Sequence, residues 1–231
     1  MLILHIETSA STCSVAIGEN ENCLFYKADH EGRNHAALLS VFIEEGLQVL
    51  RAEGKKPDAV AVSSGPGSYT GLRIGVSTAK GICFALDIPL ISINTLDILA
   101  HQAKSMTTET GNSLYIPMID ARRMEVFNAV YDAELKTIRK AQAEVLHPES
   151  FNVFLTTHIV YFSGDGSPKY RELLHHENAL FIDDPTPDAR TMIALATSKF
   201  TNKEFEDVAY FEPQYVKEFF TTAKPFQARQ L

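Results

Sequence analysis

The 231-residue chain has no tryptophan and only three cysteines, Cys13, Cys23 and Cys83. An odd number with no CxxC pair excludes a disulfide framework and points to a reducing compartment. Positive charge is also scarce: 21 Lys and Arg stand against 29 Asp and Glu, a net charge of -8. A protein that grips nucleic acid alone carries a basic surplus that releases counterions from phosphates. Any contact with RNA would therefore rest largely on another subunit. No run approaches 18 consecutive apolar residues, and the opening MLILHIETS lacks the basic and long apolar regions of a secretory signal. The expectation is a cytoplasmic protein that does not enter a membrane. The eight histidines (5, 30, 35, 101, 147, 158, 175 and 176) include no pair four apart, so no helix presents an HxxxH metal face. A GxSxG nucleophile elbow is absent as well.

What is present suits a folded α/β chain. Hydrophobic residues make up 45% and charged residues 22%, and a chain of this length removes roughly 70% of its extended surface from water. Leu2–Ile6, Cys13–Ile17 and Cys23–Lys27 read as a strand meander. Asn34–Leu50 follows as a helix with Asn34 at its cap, and then Val60–Ser63 as a strand. Leu72–Leu86 is a helix, Pro89–Ile93 a strand and Thr95–Met106 a helix. Strands alternating with helices imply right-handed crossovers and a parallel portion of sheet. The opening pattern then recurs 113 residues later, where Asp120 falls on Glu7, Ala129 on Ala16 and Val130 on Ile17. This reads as an internal duplication, dividing the chain into residues 1–106 and 107–231, with a late helix near Ala189–Asn202 able to pack back across the first half. The last stretch, YFEPQYVKEFFTTAKPFQARQL, has no period and reads as a mobile tail.

The segment SSGPGSYTGLRIG, residues 63–75, fails both phosphate motifs at Thr70: there is no GxxxxGK[ST] and no complete GxGxxG. Two readings stand. Gly65, Gly67, Ser68 and Gly71 open a helix whose N-terminal donors would favour an anion, or the glycines serve a tight turn and close helix packing. Glu7, Thr8 and Ser9 after the first strand, with Asp120 facing them across a cleft, place an acid and two hydroxyls where magnesium and phosphate could be positioned; the alternative is ordinary turn chemistry. Arg122 and Arg123 read as a solvated hairpin turn. From Ala36 to Leu50 ten of fifteen residues are apolar, more than one core-facing stripe needs. His35, Leu38, Val41 and Phe42 on this helix, with Leu72, Gly75 and Ala79 on the next, make a candidate partner surface; a helix buried between sheet and tail is the other reading.

Together ILHIETSASTCSVAIG, NHAALL, AVAVSSGPGSYTGLRIGVSTAKGICFALDIPLISINTLDILA and PMIDARRMEVFNAVYD resemble the bacterial TsaB family, also called YeaZ, over most of the first 132 residues. Beyond these the likeness thins to YFEPQYV. The resemblance implies a duplicated actin-like ATPase (ribonuclease H-like) fold with mixed sheets flanked by helices. It also implies a non-catalytic subunit in forming threonylcarbamoyladenosine in transfer RNAs that read codons beginning with A. Its implied partners are a TsaD-like transferase and a TsaE-like ATPase, with tRNA reached only through the complex, a homodimer when alone, no required cofactor and weak ATP or ADP binding. In the transferase relatives the strand like Pro89–Ile93 is followed by Asn-His-Leu-Glu-Gly-His, whose histidines bind the catalytic metal. Here Thr95 and Leu99 stand in those places, so no metal and no catalytic residue is expected. Glu7 stands where most relatives have Asp, and Met124 where a glycine is usual. A metallopeptidase-like activity, or a small-molecule kinase or ATPase on the same fold, are the rival expectations.

Overall fold

Strand β1 (Leu2–Glu7) is buried on both faces along its whole length, and the period-2 alternation of its side chains decides the layering. The computed structural model describes residues 1–216 except 33, 109, 110 and 184. Around β1 lies a five-stranded sheet with β2 (Cys13–Glu19), β3 (Asn22–Asp29), β4 (Ala59–Gly65) and β5 (Leu90–Asn94) in the order β3-β2-β1-β4-β5. The meander pairs antiparallel, while β1–β4 and β4–β5 are parallel. Leu2, Leu4 and Ile6 join Leu39, Phe42, Ile43 and Leu50 of α1 (His35–Ala52) and Val76, Ala79 and Cys83 of α2 (Tyr69–Leu86) in one cluster. Each such fully buried aliphatic side chain contributes roughly 1.5–3 kcal/mol.

The opposite face of this sheet receives Ile98 of α3 (Thr95–Ser105) and Met192, Ile193 and Ala196 of α6 (Met192–Thr201) against Ile3, Ala61, Ile91 and Ile93. α6 thus comes from the second half of the chain and covers the first-half sheet.

The second sheet repeats the first. Strands β6 (Ser113–Asp120), β7 (Glu125–Tyr131), β8 (Thr137–Val145), β9 (Ile159–Ser163) and β10 (Ala179–Phe181) run in the order β10-β9-β6-β7-β8. Read from β8, this is the same order with the same antiparallel and parallel pairings. The fold is the duplicated actin-like one, and β6 falls on β1 at the 113-residue offset. α3 lies between the sheets, its Leu96, Leu99 and Ala103 packing on Tyr115 and Ile119 of β6. Among the described residues, the helices on the outer face of the second sheet are the short α4 (Asn152–Leu155) and α5 (Ser167–Arg171). An aromatic cluster of Phe151, Phe162, Tyr170 and Phe181, with neighbouring ring centroids 5.1–5.5 Å apart, fills the space that two long helices occupy on the first sheet.

Two differences from expectation bear on the first half of the chain. α2 starts at Tyr69, three residues early, because the Ser68 hydroxyl accepts from the Gly71 amide at 3.2 Å and caps it. Residues 210–216, expected in a mobile tail, instead continue a strap that crosses the first half. Glu206 pairs with Leu90, the Lys80 ammonium donates to the carbonyls of Ala209 and Phe211, and the Gln214 amide donates to the Ser64 carbonyl at 2.7 Å. Residues 217–231 of that expected tail lie outside the described residues. Among the described residues no helix is long and apolar enough to cross a membrane.

Candidate functional site

A cleft of about 770 Å³ opens between the halves at the carboxyl ends of β1 and β6, where ligands gather in open α/β sheets. Ser9, Gly67, Ser68, Gly71, His35 and Asp120 line it, so six of the sequence-derived candidates meet there. Glu7 and Thr8 lie fully buried beneath its floor. Gly65 is away from the cleft, with a carbon at its Cβ position coming 2.6 Å from the Gln214 carbonyl oxygen.

The glycines are accounted for by packing. Carbons built at the Cβ positions of Gly67 and Gly71 would fall far inside the shortest real contacts to the backbone oxygens of Ser9 and Thr8, and one at Gly75 would strike the Thr8 hydroxyl. The donors at this turn are also used within the chain: the Ser68 amide donates to the Ser9 carbonyl at 2.7 Å, and the Gly71 amide to the Ser68 hydroxyl. A phosphate cradle needs such donors free.

Across the cleft, sequence reasoning missed Asp165. Its carboxylate accepts from the Asp120 amide at 2.9 Å, and Lys169 donates to the Asp120 carboxylate at 2.6 Å. Desolvation in the cleft wall holds the Asp165 carboxyl above its ordinary range, and the charge of Asp120 adds to this against the opposing amide bond. The signal was available. β9 is the twin of β4, so Gly164-Asp165-Gly166 is the second-half counterpart of the glycine turn after β4. Arg122 and Arg123 form the expected exposed hairpin turn, both with positive φ (69° and 51°), and Arg122 reaches the cleft.

The partner-surface reading of the helices needs correction. Leu72, Gly75 and Ala79 are buried against the first sheet and the Glu7–Ser9 turn, and Phe42 belongs to the core. Leu38 is half-buried against the same core, and the His35 ring pairs with the Ala10 carbonyl at 3.0 Å. The small-residue stripe faces inward because α2 must approach the turn backbone closely. The residues left outward are Val41 and Val49 on α1, 49% and 39% exposed, and Phe84 on α2, 85% exposed, beside the open Gly81.

Two buried titratable groups on β1 sit below this region. His5 has no partner on either ring nitrogen, and burial pushes its pKa down to about 4. Glu7 accepts from the Ser9 amide at 2.5 Å through one oxygen, its other oxygen has no partner, and burial pushes its pKa up to about 7. Their effects on stability have opposite signs. The unfolded chain takes up the His5 proton first, so that contribution is lost as pH falls from about 6.5 to about 4. The folded chain holds the Glu7 proton longer, so that contribution is lost as pH rises from about 4.5 to about 7. The two slopes oppose each other from about 4.5 to 6.5. Glu7→Gln should therefore unmask an acid slope of about 1.4 kcal/mol per pH unit, read by urea unfolding. A variant profile parallel to that of the native chain would refute the compensation.

Comparison with known proteins places this architecture. The chain is 26% identical to the Escherichia coli tRNA threonylcarbamoyladenosine biosynthesis protein TsaB over 94% of its own length and 95% of that protein. It is 30% identical to the Bacillus subtilis TsaB over 57% of its length, an alignment spanning 55% of that protein. The family model described as "TsaD: tRNA N6-adenosine threonylcarbamoyltransferase" matches residues 29–224. The chain belongs to the TsaD family and is of its TsaB (YeaZ) type. The solved YeaZ from Pseudomonas aeruginosa superposes on this TsaB-type chain with a TM-score of 0.75 at 25% identity, covering 93% of this chain and 99% of that one. A second solved structure, titled an uncharacterized protein with similarity to peptidase YEAZ from Pseudomonas aeruginosa, gives 0.79 at 26% identity. In this TsaB-type chain Thr95 and Leu99 are both buried, Leu99 in the contact between α3 and β6. Among the described residues no three of His, Cys, Asp and Glu are grouped to hold a metal ion.

Proposed function

We propose that this chain serves in threonylcarbamoyladenosine biosynthesis on transfer RNA as a non-catalytic cytoplasmic subunit, which docks on a TsaD-like transferase and activates it together with a TsaE-like ATPase. The observation that carries the non-catalytic part is the packing of Leu99. Where the resembling transferases bring a metal-binding histidine, this chain brings an aliphatic side chain that fills the core between α3 and β6. The near full-length likeness to TsaB proteins supports the pathway. The outward Val41, Val49 and Phe84 supply the docking face, which on this reading also joins two copies when the partner is absent.

The cleft accommodates a nucleotide by volume, and the unpartnered buried Ser9 hydroxyl lies at its edge. Two of its backbone donors, the Ser68 and Gly71 amides, are nonetheless used within the chain, and two carboxylates, Asp120 and Asp165, share its far wall. ADP or ATP is accordingly a weak ligand and not a required cofactor. A peptidase reading has no grouped metal ligands among the described residues to carry it.

Reconstitution tests the central claim. Modification of tRNA by the transferase and ATPase should fall at least tenfold when this chain is omitted, while the chain alone should neither modify tRNA nor cleave peptides. Full modification without it would refute the role.

A further inference from the structure

The floor of the cleft and the starts of both outer helices are one mechanical unit. The turn after β1 runs through Thr8, Ser9, Ala10 and Ser11, of which the last three line the cleft. From this turn two ties reach α2: the Thr8 hydroxyl donates to the Gly71 carbonyl at 2.8 Å, and the Ser9 carbonyl accepts from Ser68. A third reaches α1, where His35, its first residue, pairs with the Ala10 carbonyl. Gly67, Gly71 and Gly75 remove all slack from the α2 contact, since no carbon fits between the helix and the turn. Interiors packed this tightly move as discrete units and do not deform continuously. Beneath the turn, the Ser9 amide is held by one oxygen of Glu7, while the other oxygen and the Ser9 hydroxyl have no partner. Thr8 is held more loosely from below, its amide 3.4 Å from the Ser63 hydroxyl, than from above, where its hydroxyl lies 2.8 Å from the Gly71 carbonyl.

We propose that residues 8–10 act as a transmission element, so that filling the cleft shifts α1 and α2 together and changes how their outer faces are presented to a docking protein. This rests on the reading of those faces as the docking surface. Cleft occupancy and docking then become linked equilibria, each altering the other by the same factor.

The test fills the cleft without relying on any ligand's affinity. Ala121, on the far wall, is replaced by Cys in a Cys23→Ser background, leaving Cys13 and Cys83 buried, and alkylated with a bulky maleimide. Amide hydrogen exchange is then read over residues 36–52 and 72–86. Both helices should change rate together, by fivefold or more. In Thr8→Val, which leaves the Ser68–Ser9 tie in place, the response of α2 should weaken while that of α1 is kept, and Thr8→Ser should restore it. Unchanged helices after complete alkylation, or a full α2 response in folded Thr8→Val, would overturn the proposal. Should Thr8→Val not fold, the alkylated protein with Thr8 intact still decides it. A parallel arm measures association with the TsaD-like subunit by the alkylated protein and by the Phe84→Glu variant. If exchange shifts while native association and its loss in Phe84→Glu are both absent, the link stands and the docking reading fails.

Discussion

In Gly71→Ala the added methyl group is expected to strike the Thr8 carbonyl oxygen and to cost about 3 kcal/mol or more, the upper end of overpacking penalties. The opposing atom is main chain, so no side-chain rotation can relieve the contact; the helix and turn would have to separate and lose their mutual packing. Gly81, on the same helix, is the internal control. Nothing lies within 4 Å of its Cβ position, and alanine there should stabilise by roughly 0.5–1 kcal/mol through lost unfolded-state entropy and better helix propensity. Urea unfolding of the two variants decides the matter. A Gly71→Ala protein within about 1 kcal/mol of the native chain would mean that the glycine turn is not spent on packing, which would return it to the role of an anion cradle.

The second large effect is on association. Phe84→Glu should leave folding stability within about 0.5 kcal/mol, as surface substitutions do, because the ring is 85% exposed and outside the core clusters. It should weaken binding to the TsaD-like subunit by about 100-fold or more, since a buried aromatic anchor is worth 2 kcal/mol or more and a carboxylate would replace it in an apolar contact. Analytical ultracentrifugation, with tRNA modification in the reconstituted mixture, reads both quantities. Undiminished association and modification would show that the face is not the one used. A parallel substitution at Val153, also exposed but on the second half, should leave association unchanged.

The duplication was legible because it left strong local signals: two meanders, each ending its first strand on an acid, at one fixed offset. The sheet order followed from those signals and from the crossover rule. What the sequence withheld was direction. An apolar helix with hydrophobic residues on several faces does not reveal which face meets the sheet, so the pattern alone leaves Phe42 and Leu72 free to face a partner although they are core. Small residues at Gly71, Gly75 and Ala79 suit a partner helix and a turn backbone equally well; only the position of Thr8 distinguishes the two. Asp165 was overlooked because the repeat was followed through the meander and not carried on to β9. The strap was read as tail because its ties, from Lys80, Leu90 and Ser64, come from residues more than a hundred positions away.

The placement of α6 bears on the history of the molecule. A chain that arose by doubling would at first have had two self-sufficient copies, each able to stand alone. Here the later copy lends a helix to cover Ile91, Ile93 and Ala61 of the earlier one, and Glu206 beyond that helix pairs with Leu90 on the earlier copy's edge strand. Neither copy is now a separable module. Removing the later copy would leave Ile91, Ile93 and Ala61 of the earlier sheet uncovered.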